Sequence, residues 1–273
     1  MKIAIQGTDA SFHAIAARTL FPGASSLLEC QHFRDVFTTV KEGKADFGVV
    51  GIENSLYGSI NETYDLLVQN ELTISGETYE QISLHLLGTQ TAQMTDITDV
   101  YSQAPALGES DVFLDTHLPN ARRHEYDDTA RAAQFVSSTN EPTKAAVAGE
   151  AAATQYGLKI LAENIESHHD NYTRFIALSN KSAATHIEYP KSSIIFQTTD
   201  TPGSLYAVLG VFAHRSLNLT KLESRPIIGK AWRYMYYIDF EGHFSDELKK
   251  ELTQYATEVR LLGTYRNGTI KKT

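Results

Sequence analysis

Apolar and polar positions along residues 1–179 follow two alternating patterns. Short apolar runs such as KIAIQG at residues 2–7 are followed by amphipathic segments such as SFHAIAARTLF at residues 11–21. The same succession recurs in FGVVGIENS, ETYDLLVQ, DVYSQ and ESDVFLDTH. Strands that alternate with helices are typical of an α/β fold, so the pattern predicts a mostly parallel sheet with helices on both faces.

A second unit of the same kind follows, from RRHEYDD at residues 122–128 to RFIALS at residues 174–179. The strands therefore divide into two lobes. The apolar-alternating segment LTISGETYEQISLHLLG, residues 72–88, is predicted to cross from one lobe to the other. Two α/β lobes joined by crossing segments normally place a ligand cleft between them.

The pattern changes after Ser179. Residues 180–191 are polar, contain one proline and are predicted to form a linker at a domain boundary. Beyond them the segments SIIFQT, GSLYAVLGVFAHR, LNLTKLES, AWRYMYYIDFEG, SDELKKELTQYA and VRLLGTY have the order βαββαβ. This order is the ferredoxin-like arrangement, and Ser245 or Asp246 is predicted to cap its last helix.

Composition and net charge limit the classes of ligand that the protein could bind. Hydrophobic residues make up 42% of the 273 residues and charged residues 21%, as in ordinary soluble proteins. The net charge of −9 argues against binding to nucleic acid or to an anionic membrane. An anionic substrate would then need a locally positive site or one rich in N–H donors. A single cysteine, Cys30, and the absence of a signal-peptide pattern favour the cytoplasm.

Cofactor motifs are weak. The strand-to-helix turn at residues 5–17 has one glycine where a dinucleotide fingerprint needs three, so no nucleotide cofactor is predicted. His168, His169 and Asp170 are adjacent and have no third ligand signalled nearby, so no metal is predicted either. The sequence has neither a serine in GxSxG spacing nor a cysteine beside a catalytic-looking histidine, so no acyl-enzyme is predicted.

Two stretches carry polar groups at strand ends. In VGIENSLYGSINETYDLL, residues 50–67, Ser59 stands three residues before Glu62, the spacing of a capping box. One interpretation is a capped helix alone; the other is an anion site at the turn. In NYTRFIAL, residues 171–178, the plain interpretation is a strand, whose alternation places Thr173 and Phe175 on one face and Arg174 on the other.

Several segments, in order, resemble those of prephenate dehydratase with a C-terminal ACT regulatory domain. They are IENSLYGSINETYDLL, DDTARAA, AAVAGEAAATQYGL, NYTRF, PGSLYAVLGVFA and LNLTKLESRP. His13 stands where the family usually has serine, and SQAPAL at residues 102–107 departs from the usual Ser-His-Pro-Gln-Ala-Leu. The resemblance implies a two-lobed, periplasmic-binding-protein-like α/β catalytic domain over residues 1–180, with its second lobe at roughly 77–160. A ferredoxin-like ACT domain over residues 192–273 would follow.

The resemblance also implies conversion of prephenate to phenylpyruvate, with loss of CO2 and water and without a cofactor. Thr173 would donate a hydrogen bond to the leaving hydroxide, and Phe175 would form an apolar wall. Arg174 is also placed among the catalytic residues. Strand alternation turns its side chain away from Thr173, so its other possible role is to link the two lobes. The carboxylates of the substrate would meet groups near Ser11, Asn54, Ser55 and Ser59.

Regulation is implied by the ACT segments. Gly203, Ser204 and Leu205 open a helix, whereas Asn218, Glu223, Ser224 and Arg225 belong to a strand and the turn before it. Together these residues resemble a site for L-phenylalanine between paired subunits, so feedback inhibition and a homodimer or homotetramer are expected. Arogenate dehydratase and a non-catalytic amino-acid-sensing protein remain alternative interpretations.

Overall fold

The computed structural model describes residues 1–180, 188 and 190–270. Within them the first lobe contains strands β1 (Lys2–Gln6), β2 (Ser26–Cys30), β3 (Phe47–Asn54), β4 (Gly58–Ser59) and β5 (Thr73–Gln81). The strands that follow are β6 (His85–Gly88), β7 (Asp99–Ser102), β8 (Arg122–Glu125), β9 (Lys144–Ala148), β10 (Lys159–Ala162) and β11 (Tyr172–Ser179). The last are β12 (Pro190–Thr198), β13 (Leu219–Pro226), β14 (Tyr234–Glu241) and β15 (Ala256–Arg266).

The helices of the described residues alternate with these strands. They are α1 (Phe12–Leu20), α2 (Phe33–Lys41), α3 (Asn61–Gln69), α4 (Ala104–Glu109), α5 (Asp111–His117), α6 (Thr129–Thr139), α7 (Glu150–Tyr156), α8 (Ser204–His214) and α9 (Asp246–Leu252). A short 3-10 turn spans Met94–Asp96. No helix in this part of the chain is long and apolar enough to cross a membrane.

The sheet of the first lobe has the strand order β2-β1-β3-β11-β5, with β4 paired to β3. Its β1, β2 and β3 are parallel, whereas β11 runs antiparallel to both β3 and β5. The predicted mostly parallel sheet is therefore mixed, because β11 returns from the second lobe and inserts between two strands of the first. This insertion places residue 173 at the junction of the lobes.

The second lobe is built on a sheet of order β10-β6-β9-β7-β8. The strands β7, β8 and β9 are parallel, and β6 and β10 are antiparallel to their neighbours. The predicted crossing at residues 72–88 is confirmed, since β5 lies in the first sheet and β6 in the second. Glu77 lies within β5, so the second lobe begins later than the expected boundary near residue 77.

The C-terminal domain has the predicted βαββαβ order, with its sheet arranged β13-β14-β12-β15. Ser245 caps α9, as predicted, by accepting a hydrogen bond from the N–H of Leu248 at 3.2 Å. Most of the predicted linker, residues 181–187 and 189, lies outside the described residues. Pro190 and Lys191 already belong to β12, so the linker ends earlier than expected.

The sheet of the C-terminal domain packs directly on the first lobe. Ile74 and Ile176 share one hydrophobic cluster with Tyr237 and Tyr265 of the C-terminal domain. At the closest point a Cβ added to Gly263 would lie 2.1 Å from the carbonyl oxygen of Ile74, so only glycine fits there. The two domains therefore share one hydrophobic core.

Candidate active site

A cavity of about 230 Å³ lies between the two lobes. The first lobe contributes Asn54, Thr173 and Phe175 to its wall. The remaining lining residues come from both lobes: Gln6, Phe12, His13, Phe33, Gly51, Tyr57, Ile60, Ile82, Leu84, Gln103, Pro105, Ala106, Glu109, Asp128 and Thr129. The volume is below the roughly 300–1,000 Å³ of drug-sized ligand sites, so it suits a small ligand.

Helix N-termini surround this cavity. His13 lies in the first turn of α1, Ile60 precedes α3 and Thr129 begins α6, and all three residues line the wall. The N-terminal end of a helix carries partial positive charge and free N–H groups, which favour an anion. No lysine or arginine lines the cavity in the described part of the chain. An anionic ligand would therefore be met by N–H donors, and the expected cation is missing from this wall.

The hydroxyl of Thr173 is oriented by its neighbour Asn54. The Nδ2 group of Asn54 donates to Oγ1 of Thr173 at 3.1 Å, and Oδ1 of Asn54 accepts from the backbone N–H groups of Leu56 and Tyr57 at 2.8 and 2.9 Å. Because Oγ1 accepts this bond, its own proton points elsewhere. No acceptor for that proton is present among residues 1–180, 188 and 190–270. Thr173 is thus a free donor in the cavity wall.

A chain of amides links Thr173 to a buried carboxyl. Asn54 also donates to Oδ1 of Asn171 at 2.7 Å, and the Nδ2 group of Asn171 donates to Oε2 of Glu109 at 2.7 Å. Asn171 is fully buried. Burial raises the pKa of Glu109 to about 7, which the hydrogen bond from Asn171 opposes and the charge of Glu166 reinforces. Glu109 was not among the predicted site residues, because nothing in its helical segment indicates a hydrogen-bond partner 62 positions away.

His13 also lines the cavity and was not predicted as a site residue. Its Nε2 accepts a hydrogen bond from the N–H of Gly51 at 3.2 Å, and its ring meets Phe175 edge-on with centroids 5.0 Å apart. Burial lowers the pKa of His13 to about 3, so the ring is neutral. A neutral ring that accepts at Nε2 carries its proton on Nδ1. His13 is therefore an uncharged polar side chain of the cavity wall, at one of the positions that depart from the family pattern.

As alternation predicted, Thr173 and Phe175 share the cavity wall while Arg174 does not. The side chain of Arg174 is 4% exposed and contacts Glu77 at 2.7 Å, Asp239 at 2.5 Å and Tyr265 at 2.9 Å. Lys191 adds a second cation, 3.0 Å from Glu77. The prediction that Arg174 is a catalytic residue is wrong, because its side chain points away from the cavity. It ties the first lobe to the C-terminal domain rather than to the second lobe.

Ser11, Ser55 and Ser59, which were expected to contact the substrate, form hydrogen bonds within the protein instead. Ser11 caps α1 by accepting from the N–H of Ala14, so its helix, rather than its side chain, reaches the cavity. The exposed Ser55 hydroxyl accepts from the N–H of Tyr172 at 2.9 Å and holds a loop against β11.

The predicted capping box at Ser59 is wrong. This residue lies in β4, whose pairing with β3 keeps the backbone extended, and Ile60 precedes α3 without a side-chain cap. The Ser59 hydroxyl contacts Glu223 and Lys221 of the C-terminal domain instead. Glu53, which is paired with Ser59 across β3 and β4, forms an ion pair with Lys221 at 2.6 Å.

The predicted effector residues form two separate groups within one chain. Gly203, which starts α8 with a φ of +85°, and Ser204 line a groove formed by residues 199–207 and 253–257. Leu205 packs beside the core of the domain. On β13 the side chains of Glu223 and Arg225 turn toward the first lobe, whereas Asn218 and Ser224 are exposed. The groove includes neither Glu223 nor Arg225.

No group of three or more His, Cys, Asp or Glu side chains in the described ranges has the geometry to hold a metal ion. His169 contacts Glu166 through Nδ1 at 3.3 Å, which gives this part of the HHD sequence a structural partner.

Two α/β lobes with a small cavity of about 230 Å³ between them, followed by a ferredoxin-like domain, define a small-molecule enzyme with an appended regulatory domain. The family model described as prephenate dehydratase matches residues 3–183, and the ACT domain model matches residues 192–254. The chain therefore belongs to the prephenate dehydratase family, whose dehydratase activity is that of a lyase, and carries a C-terminal ACT domain.

Individual relatives cover nearly the whole chain. A bifunctional chorismate mutase/prephenate dehydratase of Aquifex aeolicus is 36% identical over 276 residues, which cover 100% of this chain and 75% of that protein. An arogenate dehydratase/prephenate dehydratase 2 of Arabidopsis thaliana is 36% identical over 280 residues, covering 97% and 72%. The crystal structure of prephenate dehydratase in complex with L-Phe from Arthrobacter aurescens has a TM-score of 0.88 at 29% identity, covering 98% and 90%.

Proposed function

We propose that the protein converts prephenate to phenylpyruvate, with release of CO2 and water. The observation that carries this proposal is the hydroxyl of Thr173, which faces the cavity as a free donor because Asn54 occupies its acceptor side at 3.1 Å. The reaction needs such a donor, since hydroxide is a poor leaving group and negative charge develops on its oxygen. The names of the relatives support the same substrate class.

Each wall of the cavity has a role in this reaction. The ring carboxylate leaves as CO2, its bonding electrons enter the ring, and hydroxide departs from the opposite ring carbon toward the donor Thr173. Phe175, which is buried and lines the cavity, excludes water from the departing carboxylate. The starts of α1 and α3 offer N–H groups to the carboxylates of the substrate. At the start of α6 the Asp128 carboxylate already accepts from the N–H of Arg131 at 2.9 Å.

Arogenate is the alternative substrate, because it differs from prephenate only by an amino group in place of the side-chain ketone. The purified protein is assayed with each compound in parallel, with phenylpyruvate and phenylalanine quantified as products. We expect prephenate to be turned over with the higher kcat/KM. A higher value for arogenate would make the protein an arogenate dehydratase, and no product from either would favour the amino-acid sensor.

We propose that L-phenylalanine is the effector and that it binds between the ACT domains of two copies, in a homodimer or homotetramer acting in the cytoplasm. The L-Phe bound to the Arthrobacter aurescens relative supports the ligand. The separation of Gly203 from Glu223 in one chain supports a second copy that completes the site. An amino group held by Glu223 would compete with Ser59 and Lys221 and so link effector binding to the first lobe.

Glu223→Ala is expected to raise the phenylalanine concentration for half-maximal inhibition by roughly tenfold or more, because a hydrogen bond to a charged group contributes about 1.5–3 kcal/mol. Inhibition curves at fixed prephenate measure this effect. Glu247→Ala removes an exposed carboxylate of the same domain and serves as the matched control. Undiminished inhibition in Glu223→Ala would count against this regulatory site.

A further inference from the structure

The cavity wall contains a buried carboxyl that the mechanism above does not use. Glu109 is 7% exposed and lines the cavity. Its Oε2 accepts from Asn171 at 2.7 Å, while its Oε1 has no hydrogen-bond partner in residues 1–180, 188 and 190–270. One oxygen is thus fixed by the protein, and the other is left for a molecule bound in the cavity.

We propose that Glu109 works in its protonated form, donating a hydrogen bond from Oε1 to the substrate, and that its ionisation closes the site to the anionic substrate. This inference rests on the proposed function. In the protonated form Oε2 remains a carbonyl acceptor for Asn171, so the amide chain to Asn54 and Thr173 is preserved. In the ionised form the negative charge of the Glu109 carboxylate would face the anionic substrate. The cavity wall contains no lysine or arginine among the described residues to offset this repulsion.

The surroundings of Glu109 favour the protonated form. Burial raises its pKa to about 7, the Asn171 hydrogen bond acts in the opposite direction, and the carboxylate of Glu166 adds a like charge. The other titratable groups of this region are the neutral side chains of His13 and Tyr57 and the acidic side chains of Asp111 and Asp128. His169 contacts Glu166 through Nδ1 at 3.3 Å.

Charged and titratable side chains on the strands that pack against α4 are engaged elsewhere. Arg122 and His124 both contact Asp99. Arg123 pairs with Asp115, and Lys144 pairs with Glu141. Glu125, at the end of β8, is exposed to solvent. No cation in the described part of the chain therefore contacts the Glu109 carboxyl.

The pH dependence of kcat/KM tests this role. For one group with a pKa of about 7 that must be protonated, the wild-type value should fall roughly thirtyfold between pH 6 and pH 8.5. In Glu109→Gln the fall should be less than about threefold, because an amide donates a hydrogen bond at every pH and carries no charge. Glu125→Gln makes the same change at an exposed site and should keep the wild-type profile.

Two results with Glu109→Gln would contradict this role of Glu109. A descending limb that persists in Glu109→Gln would overturn the proposal, because another group would then be titrating. A folded Glu109→Gln enzyme without activity at any pH would overturn it too, since transfer of a proton rather than a hydrogen bond would be required.

A measurement without substrate separates this inference from the proposed function. The folded-state pKa of Glu109 lies above the unfolded value of about 4.3, so its contribution to stability is present at low pH and lost as pH rises toward 7. Glu109→Gln should therefore melt at a higher temperature than the wild type at pH 8 and show no such gain at pH 4. Equal melting at pH 8 would overturn the role of Glu109. Failure of the wild type to turn over either substrate would overturn the proposed function.

Discussion

Thr173→Val is expected to lower kcat by roughly 10²–10³-fold, the usual effect of removing one donor that meets developing negative charge. Valine keeps the β-branched shape in a strand that is buried between β3 and β5, so the cavity wall stays in place. The change removes the hydroxyl proton and leaves the Nδ2 group of Asn54 without its acceptor at 3.1 Å. KM should change much less than kcat, because the donor acts mainly in the transition state.

Thr173→Ser is the matched control, since it restores the hydroxyl without the methyl group. It should retain activity within about tenfold of the wild type, as the hydrogen bond from Asn54 can re-form. Steady-state kinetics with prephenate and circular dichroism of both variants provide the measurement. Near-normal kcat in a folded Thr173→Val enzyme would remove Thr173 from the mechanism.

Arg174→Met should lower the free energy of unfolding by about 3–5 kcal/mol, the range for breaking a buried ion pair on one side. The guanidinium of Arg174 is held by Glu77, Asp239 and Tyr265. Without it, Lys191 is the one cation among the described residues that would remain to neutralise the two buried carboxylates. Burial alone would raise the pKa of Asp239, but the charge of Arg174 and the Ser193 hydroxyl more than offset it, and the pKa is lowered. The stability contributed by this carboxylate is therefore present at neutral pH and is lost in acid.

Urea unfolding at pH 7, followed by circular dichroism, measures the change. Arg18→Met makes the same substitution in the exposed pair with Asp9 and should cost less than about 1 kcal/mol. The double variant Arg174→Met, Asp239→Asn should recover part of the loss, because it also removes one of the unpaired charges. If Arg174→Met is no less stable than Arg18→Met, the network does not hold the two domains together.

The sequence by itself determined the class of fold and the family. Alternating strand and helix periods predicted two α/β lobes, and the βαββαβ order predicted the C-terminal domain, because these patterns depend on local geometry. The period of two in NYTRFIAL also separated Thr173 from Arg174 before any contact was known.

Only the tertiary structure decided which polar groups meet. Glu109 and Asn171 are distant in sequence but hydrogen-bonded at 2.7 Å, and Ser59 contacts the C-terminal domain instead of starting a helix. The mixed direction of the first sheet likewise depends on where β11 inserts. Periodicity places a side chain on a face, whereas a hydrogen bond or a shifted pKa depends on the other element packed against that face.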